Sequence, residues 1–332
     1  DRTMRAIDDF GRPINYLRVS VTDRCNLRCV YCMPPEGVQQ RNMEDILTFE
    51  EIETIVRAAA DVGVTKIRLT GGEPLARLGI VDLVALLARV PGIDDLSMTT
   101  NGTLLADKAA ALAAAGLNRV NISLDTLKPE RFSQITRRGK LEEALRGIEA
   151  AKSAGLNPVK VNMVVVRGLN EDEVVDFARL TLNEGWHVRY IEMMPLGANP
   201  DWDASQHVPM REIQTWVTTA LGPLQPATVL KGNGPAKYYR IAGANEGTIG
   251  FISPVTEHFC NSCNRLRLTA DGRLRPCLLS DAELDVRSIL RSGKDVAAVR
   301  ELLQEAIRLK PRQHHLAECA APSGRTMSEI GG

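Results

Sequence analysis

The sequence predicts an α/β chain built as an incomplete (βα)6 TIM-like barrel with a smaller C-terminal domain. Between residues 14 and 195 a short β-branched run, a loop and an Ala/Leu-rich amphipathic stretch recur, the rhythm of a parallel sheet with crossover helices. Parallel strands covered on both faces are apolar throughout, whereas several of these runs are polar on one face. In Arg119-Val-Asn-Ile-Ser-Leu-Asp125, Asn121, Ser123 and Asp125 share one face and Val120, Ile122 and Leu124 the other; in Lys66-Ile-Arg-Leu-Thr70, Lys66, Arg68 and Thr70 oppose Ile67 and Leu69. A polar inner face belongs to a barrel whose lumen holds ligand in place of packed side chains, rather than to an open doubly wound sheet. From about residue 200 the rhythm changes, which divides the chain into residues 1–220 and 221–332.

The first strand is expected at Ile14 to Thr22. Ile52, Ile55, Val56 and Ala59 then follow helical spacing, with Thr48 and Glu51 set for a capping box and Gly63 as the stop. Strands follow at Thr65 to Thr70, Asp95 to Thr100, Arg119 to Asp125, Val159 to Val166 and His187 to Met193, and Gly116, Gly155 and Gly185 repeat the stop signal before the last three. Residues 221 to 236 are rich in Gly and Pro and read as a connection. Lys237 to Ala242 and Thr248 to Ser253 form a hairpin, and a mostly helical tail follows.

The 332 residues provide ample core, and 41 basic residues balance 41 acidic ones, so no global charge favours nucleic acid or a membrane surface. Aromatic residues, at 4%, are too few for the stacking platforms of single-strand binders. The best apolar stretch, Ile80 to Ile93, is interrupted by Asp82, Arg89 and Pro91 and falls short of the roughly 18 residues of a spanning helix. The N-terminus is charged and unlike a signal peptide. Seven cysteines, an odd number with no secretory signal, fit metal ligation in the cytoplasm better than disulfides.

Cys25, Cys29 and Cys32 lie in Cys-Asn-Leu-Arg-Cys-Val-Tyr-Cys, directly after the first strand. Three thiolates on a four-iron cluster leave one iron open to a ligand that is not protein. A structural zinc wants four protein ligands, and no fourth Cys or His lies nearby. A second group, Cys260-Asn-Ser-Cys263 followed by Cys277, is again three. Here His258 is available as a fourth ligand, so zinc stays open. Cys319 stands alone and reads as a small buried hydrophobe.

Ligands of such a barrel gather at the loops after its strands. The first cysteine loop, Gly71-Gly-Glu-Pro74, Thr100-Asn-Gly102, Ser123 to Asp125 and Met194-Pro195 all fall there. Paired glycines let backbone approach a ligand, although alone they read equally well as a tight turn. Arg18, Arg68, Lys160 and Arg189 sit within four different strands, where a neutral barrel would carry Val or Ile. Facing inward they make a pocket for a polyphosphate or carboxylate; surface placement is the alternative, and parity leaves Arg189 undecided. Arg265 and Arg267, with Arg273 and Arg275 close behind, crowd guanidiniums beside the second cysteine group.

The CxxxCxxC loop with Tyr31 before its third cysteine, and Gly-Gly-Glu-Pro one strand later, resemble the radical S-adenosylmethionine (SAM) enzymes. Two three-cysteine groups at opposite ends of one chain, Cys263-Asn-Arg-Leu-Arg-Leu-Thr269, Arg-Pro-Cys-Leu around Cys277 and the terminal Gly331-Gly332 narrow the resemblance to the molybdenum-cofactor biosynthesis protein A family, the GTP 3′,8-cyclases, over nearly the whole chain. Leu75-Ala76-Arg77 stands where relatives often have Leu-Leu-Arg, a conservative change. The resemblance implies that Cys25, Cys29 and Cys32 hold a 4Fe–4S cluster whose open iron is chelated by SAM, with Tyr31, Gly72, Ser123 and Met194 around SAM. It implies a second 4Fe–4S cluster on Cys260, Cys263 and Cys277, whose open iron meets the guanine of GTP, and GTP contacts from Arg18, Arg68, Thr99, Lys160, Arg189, Arg265 and Arg267.

The implied reaction reduces the first cluster by one electron and cleaves SAM to methionine and a 5′-deoxyadenosyl radical, which takes hydrogen from C3′ of GTP. C3′ then attacks C8, and a further electron with a proton completes (8S)-3′,8-cyclo-7,8-dihydroguanosine 5′-triphosphate, an early step of molybdenum cofactor biosynthesis catalysed by a lyase. Implied partners are GTP, a low-potential electron donor of flavodoxin or ferredoxin type and, downstream, cyclic pyranopterin monophosphate synthase. The expected state is a monomer or homodimer without membrane or nucleic acid. Two other readings stay open. One is a radical SAM peptide-modifying enzyme with an auxiliary cluster, whose domains usually carry more C-terminal cysteines. The other is a non-catalytic iron–sulfur or zinc scaffold that binds a nucleotide, which would have no use for an open iron.

Overall fold

Six strands, β1 (Tyr16–Ser20), β2 (Lys66–Thr70), β3 (Asp95–Thr100), β4 (Arg119–Ser123), β5 (Lys160–Val165) and β6 (His187–Glu192), pair in parallel in chain order. They are seen in a computed structural model that describes residues 6–39, 41–194, 204–227, 234–244, 246–293, 295–314 and 325–331. Pro195, Cys319 and Gly332 lie outside the described residues. Helix α1 (Phe49–Asp61) crosses from β1 to β2 and is started by the expected box: Thr48 Oγ1 accepts from Glu51 N at 3.2 Å while the Glu51 carboxylate accepts from Thr48 N at 2.8 Å. Helices α2 (Ile80–Leu87), α3 (Ala109–Ala114), α4 (Pro129–Thr136), α5 (Leu141–Ser153) and α6 (Val174–Asn183) make the remaining crossovers.

Period-two alternation sorts the strand residues as anticipated. Leu17, Val19, Ile67, Leu69, Met98, Val120, Ile122, Val161, Met163 and Val188 point outward into one continuous core beneath the helices. Each such side chain removed from water contributes about 1.5–3 kcal/mol, so the register of the sheet is firmly set.

The C-terminal segment extends this same sheet on both sides. After α7 (Met210–Leu221), strands β7 (Leu224–Pro226), β8 (Lys237–Ile241) and β9 (Thr248–Ile252) run antiparallel to one another, which includes the expected hairpin, and β9 pairs in parallel with β6. At the other edge β10 (Arg265–Leu268) lies parallel to β1 with Arg267 opposite Arg18, followed by antiparallel β11 (Arg273–Arg275) and β12 (Leu284–Asp285). The 12-stranded order β12-β11-β10-β1-β2-β3-β4-β5-β6-β9-β8-β7 is open, the signature of an incomplete barrel. Helices α8 (Val286–Arg291), α9 (Val296–Arg308) and α10 (Met327–Ile330) complete the tail, and α9 packs on α1. Among the described residues no helix is long and apolar enough to cross a membrane.

Candidate active site

The inward positions of the strands line one cavity of about 320 Å³. Arg18, Arg68, Thr99, Lys160, Arg189, Arg265 and Arg267 all reach it, so the four strand cations face inward. The undecided Arg189 is 6% exposed and donates through Nε to Asn162 Oδ1 at 2.8 Å. Its neighbour across the β6–β9 pair is Gly250, where a Cβ would come within 2.9 Å of the Arg189 stem, so the glycine makes room for the arginine. Arg68 donates to the Tyr16 hydroxyl and, at 3.4 Å, to Thr99 Oγ1. With its amide oxygen turned toward the two guanidiniums, the orientation that pairs donors with acceptors, Asn121 accepts from Arg68 and Arg189. Arg267 Nη1 donates to the carbonyl of Gly331 at 2.6 Å.

Arg68, Arg189 and Arg267 form no salt bridge among the described residues; they donate to the Tyr16 hydroxyl, the Asn162 amide and the Gly331 carbonyl. Arg119, by contrast, is paired with Asp95. Burial, then Arg18 and Arg265, hold Arg267 well below its ordinary pKa, and burial followed by Arg189, Arg119 and Arg68 brings Lys160 down to about 6. Burial alone would raise Tyr16, yet Arg68, Arg18 and Arg265 outweigh it and bring its hydroxyl down to about 7. Cations that destabilise one another this way await a multiply charged anion.

At the mouth of the same cavity stand Cys25, Cys29 and Cys32 with Tyr31, Gly72, Ser123 and Met194. The loops are cross-braced. Gly72 N donates to Thr22 O and Glu73 N to Arg24 O, both at 2.8 Å, and a Cβ on Gly72 would run into the Arg24 carbonyl. The glycine thus lets the second loop lie directly on the chain entering the cysteines. Glu73, buried, accepts from Thr100 Oγ1 at 2.7 Å and from Asn101 N at 2.8 Å, while Asn101 donates to Asn26 Oδ1 at 2.9 Å. Burial pushes Glu73 up to about 7 against these hydrogen bonds. Tyr31 donates its hydroxyl to Asp125, which also accepts from Val164 N at 2.8 Å; burial raises Asp125 to about 6. Burial and the sister thiols push Cys29 up, and burial followed by Cys25 takes Cys32 to about 12. Three partly buried thiols that crowd one another suit a metal cluster, which would draw off the protons they hold.

Cys260, Cys263 and Cys277 form the second trio, placed just behind the wall: Phe259, Arg265 and Leu278, which line the cavity, lie beside them in the chain. Leu279 N reaches Cys277 Sγ at 3.4 Å just as Leu27 N reaches Cys25 Sγ at 3.4 Å. Arg265 Nη2 donates to Cys263 Sγ at 3.7 Å. Burial works against Cys263 ionising, yet Arg265 and Lys310 bring it down to about 6. Among the described residues no three His, Cys, Asp or Glu side chains converge closely enough for a single metal ion, and the His258 ring packs edge-on against His314. Three thiols with no fourth ligand in reach among the described residues make a poor tetrahedral zinc site, whereas a cluster takes one thiolate on each of several irons.

A Radical SAM superfamily model matches residues 19–181, and a Molybdenum Cofactor Synthesis C model matches residues 186–316. The GTP 3′,8-cyclase of Pelotomaculum thermopropionicum is 55% identical over 325 residues, covering 98% of this chain and 99% of the relative. That of Moorella thermoacetica is 50% identical over 325 residues with the same coverage. The chain belongs to the GTP 3′,8-cyclase family. Among solved structures it is similar to Streptococcus suis SuiB bound to S-adenosylmethionine, with a TM-score of 0.62 at 14% identity over 86% of this chain and 67% of that one. It is also similar to anSMEcpe with bound AdoMet, with a TM-score of 0.56 at 14% identity over 90% and 81%. Those two likenesses establish the fold, an incomplete barrel. Membership of the cyclase family sets aside the peptide-modifying and scaffold readings, and with it come SAM and an iron–sulfur cluster.

In this cyclase-family chain several site residues escaped the motifs. Asn162 lies two residues beyond Lys160 and Tyr16 two before Arg18, so strand parity carried a signal for both. Arg12 and Lys310, which brace the second cysteine loop, gave none: one precedes the barrel and the other follows α9. Arg273 and Arg275 do not line the cavity. Arg273 pairs with Asp285 at 2.7 Å, and Arg275 pairs with Glu283 and with the carbonyl of Ser280, tying β11 to the chain around β12.

Proposed function

We propose that the chain is a lyase-class radical SAM GTP 3′,8-cyclase in which residues 1–220 hold SAM and its cluster and residues 221–332 hold a second cluster and the guanine end of GTP. The observation that carries this reading is the shared cavity, lined by a thiol trio and by buried guanidiniums that form no salt bridge among the described residues. Cys25, Cys29 and Cys32 would hold one 4Fe–4S cluster and Cys260, Cys263 and Cys277 the other. The bound cofactors supply a one-electron cleavage of SAM to methionine and 5′-deoxyadenosine, coupled to a bond from C3′ of the ribose to C8 of the guanine.

The protein's own residues position the reactants. Tyr31, Gly72, Ser123 and Met194 take SAM beside the first trio. Arg18, Arg68, Thr99, Lys160, Arg189, Arg265 and Arg267 take GTP, and planar guanidinium forks fix the triphosphate in register so that C3′ faces the SAM end of the cavity. Asn121 and Asn162 aim Arg68 and Arg189 without neutralising them. Buried walls exclude water and competing hydrogen donors. The electron comes from a flavodoxin- or ferredoxin-type donor, the product passes to cyclic pyranopterin monophosphate synthase, and six thiols kept for metal belong in the reducing cytoplasm. The chain works as a monomer or homodimer. Anaerobic incubation of reconstituted protein with SAM, dithionite and GTP is expected to give methionine, 5′-deoxyadenosine and the cyclised nucleotide in step; deoxyadenosine with GTP returned unchanged contradicts the assignment.

Lys160 adds a pH signature. With its pKa near 6 in the free protein it is largely neutral above pH 7, and a polyphosphate alongside restores its charge. GTP binding therefore takes up about one proton, and affinity weakens as pH rises above 6. Calorimetry in buffers of different ionisation heat should show this uptake and its loss in Lys160→Met; equal heats across buffers for the unaltered protein would refute it.

A further inference from the structure

Lys310, immediately after α9, is 3% exposed, and its ammonium is enclosed by the second cysteine group. Nζ donates to the carbonyl of Arg265 at 2.7 Å and to that of Pro276 at 2.9 Å, and its remaining hydrogen bond goes to the Cys263 sulfur. It therefore joins the arm that carries Cys263 to the arm that carries Cys277. Among the described residues no carboxylate lies within ion-pair distance of it; the groups that answer its charge are the Cys263 and Cys277 sulfurs. Arg12 braces the other side, donating to the carbonyls of Cys260 and Pro311, each at 2.8 Å, but its charge is matched by Asp8 at 2.6 Å. Lys310 and Arg265 are thus the cations in direct contact with this trio. The first trio lies in more acidic surroundings, with Asp125 acting on Cys29 and Cys32 and Glu73 on Cys25, although Arg28 acts on Cys25 in the other direction.

The reduction potential of an iron–sulfur cluster follows its net charge, the hydrogen bonds to its sulfurs and its exposure, and a fixed cation beside thiolates favours the reduced form. We propose that Lys310 is a positioning residue of the second cluster: it locks the Cys263 and Cys277 arms in register and sets that cluster's reduction potential above that of the first. The inference rests on the reading of Cys260, Cys263 and Cys277 as cluster ligands.

The test is a redox titration followed by electron paramagnetic resonance on anaerobically reconstituted full-length protein, with iron and sulfide measured on the same samples, for the unaltered chain, Lys310→Met and Lys310→Arg. In the unaltered protein the second cluster should be reduced at higher potential than the first. Lys310→Met should shift its midpoint downward or lose its iron, leaving the first cluster's midpoint in place, while Lys310→Arg should restore both midpoint and iron. Unshifted midpoints with full iron in Lys310→Met, or equal loss of the second cluster in both variants, would overturn the role of the charge. Iron for a single cluster in the unaltered protein would overturn the ligand reading itself, and this inference with it.

Discussion

Replacing Cys277 by alanine is expected to abolish the cyclised nucleotide while leaving SAM cleavage measurable. Cys25, Cys29 and Cys32 line the cavity on the loop after β1, whereas Cys277 does not line it and lies beside Lys310 and the lining residue Leu278. Removing its sulfur leaves the second set with two thiolates, too few to retain a cluster that already lacks a fourth protein ligand. On the proposed reading GTP then loses its anchor at the guanine end, while the arginine wall and the first trio are untouched. Iron analysis should show loss of one cluster, and mass spectrometry should find 5′-deoxyadenosine without cyclised product. Full cyclase activity in Cys277→Ala would show that the second trio has no part in the reaction.

Arg267→Ala is expected to weaken GTP binding strongly with both clusters in place. Arg267 projects from β10 opposite Arg18 and, among the described residues, donates to one backbone carbonyl, that of Gly331, which on the proposed reading leaves the rest of its fork for phosphate. A hydrogen bond to a charged group is worth about 1.5–3 kcal/mol, and each 1.4 kcal/mol is tenfold, so affinity should fall by roughly one to two orders of magnitude. Arg267→Lys should recover part of that, since an ammonium restores charge without the planar fork. Calorimetry on reconstituted protein decides it, and unchanged affinity in Arg267→Ala would remove this residue from the substrate site.

The barrel half was legible because its signals are local. Each strand carries its own alternation, and Thr48, Glu51 and Gly63 mark the ends of α1 within a few residues of one another. The first cysteine loop was legible for the same reason. The flanking strands were harder. Arg265-Leu-Arg-Leu268 does alternate, but whether it lies against β1 is decided by partners some 250 positions away in the chain, as the bond from Asn264 Nδ2 to Asn15 Oδ1 at 2.9 Å illustrates. The ion pairs of Arg273 and Arg275 were not legible, because their carboxylates, Asp285 and Glu283, come from a short edge strand and the loop before it that composition does not announce. Lys310 and Arg12 gave no signal at all, since a buried cation is indistinguishable in sequence from an exposed one until its carbonyl partners are in place.

The central claim is that one cavity presents C3′ of GTP to SAM chemistry. Its most direct test is anaerobic turnover of the reconstituted protein with SAM, dithionite and GTP carrying deuterium at C3′, followed by mass analysis of the 5′-deoxyadenosine. Deuterium in the deoxyadenosine, formed only when GTP is present, is the predicted result; deoxyadenosine without label would place the reacting hydrogen elsewhere and contradict the account.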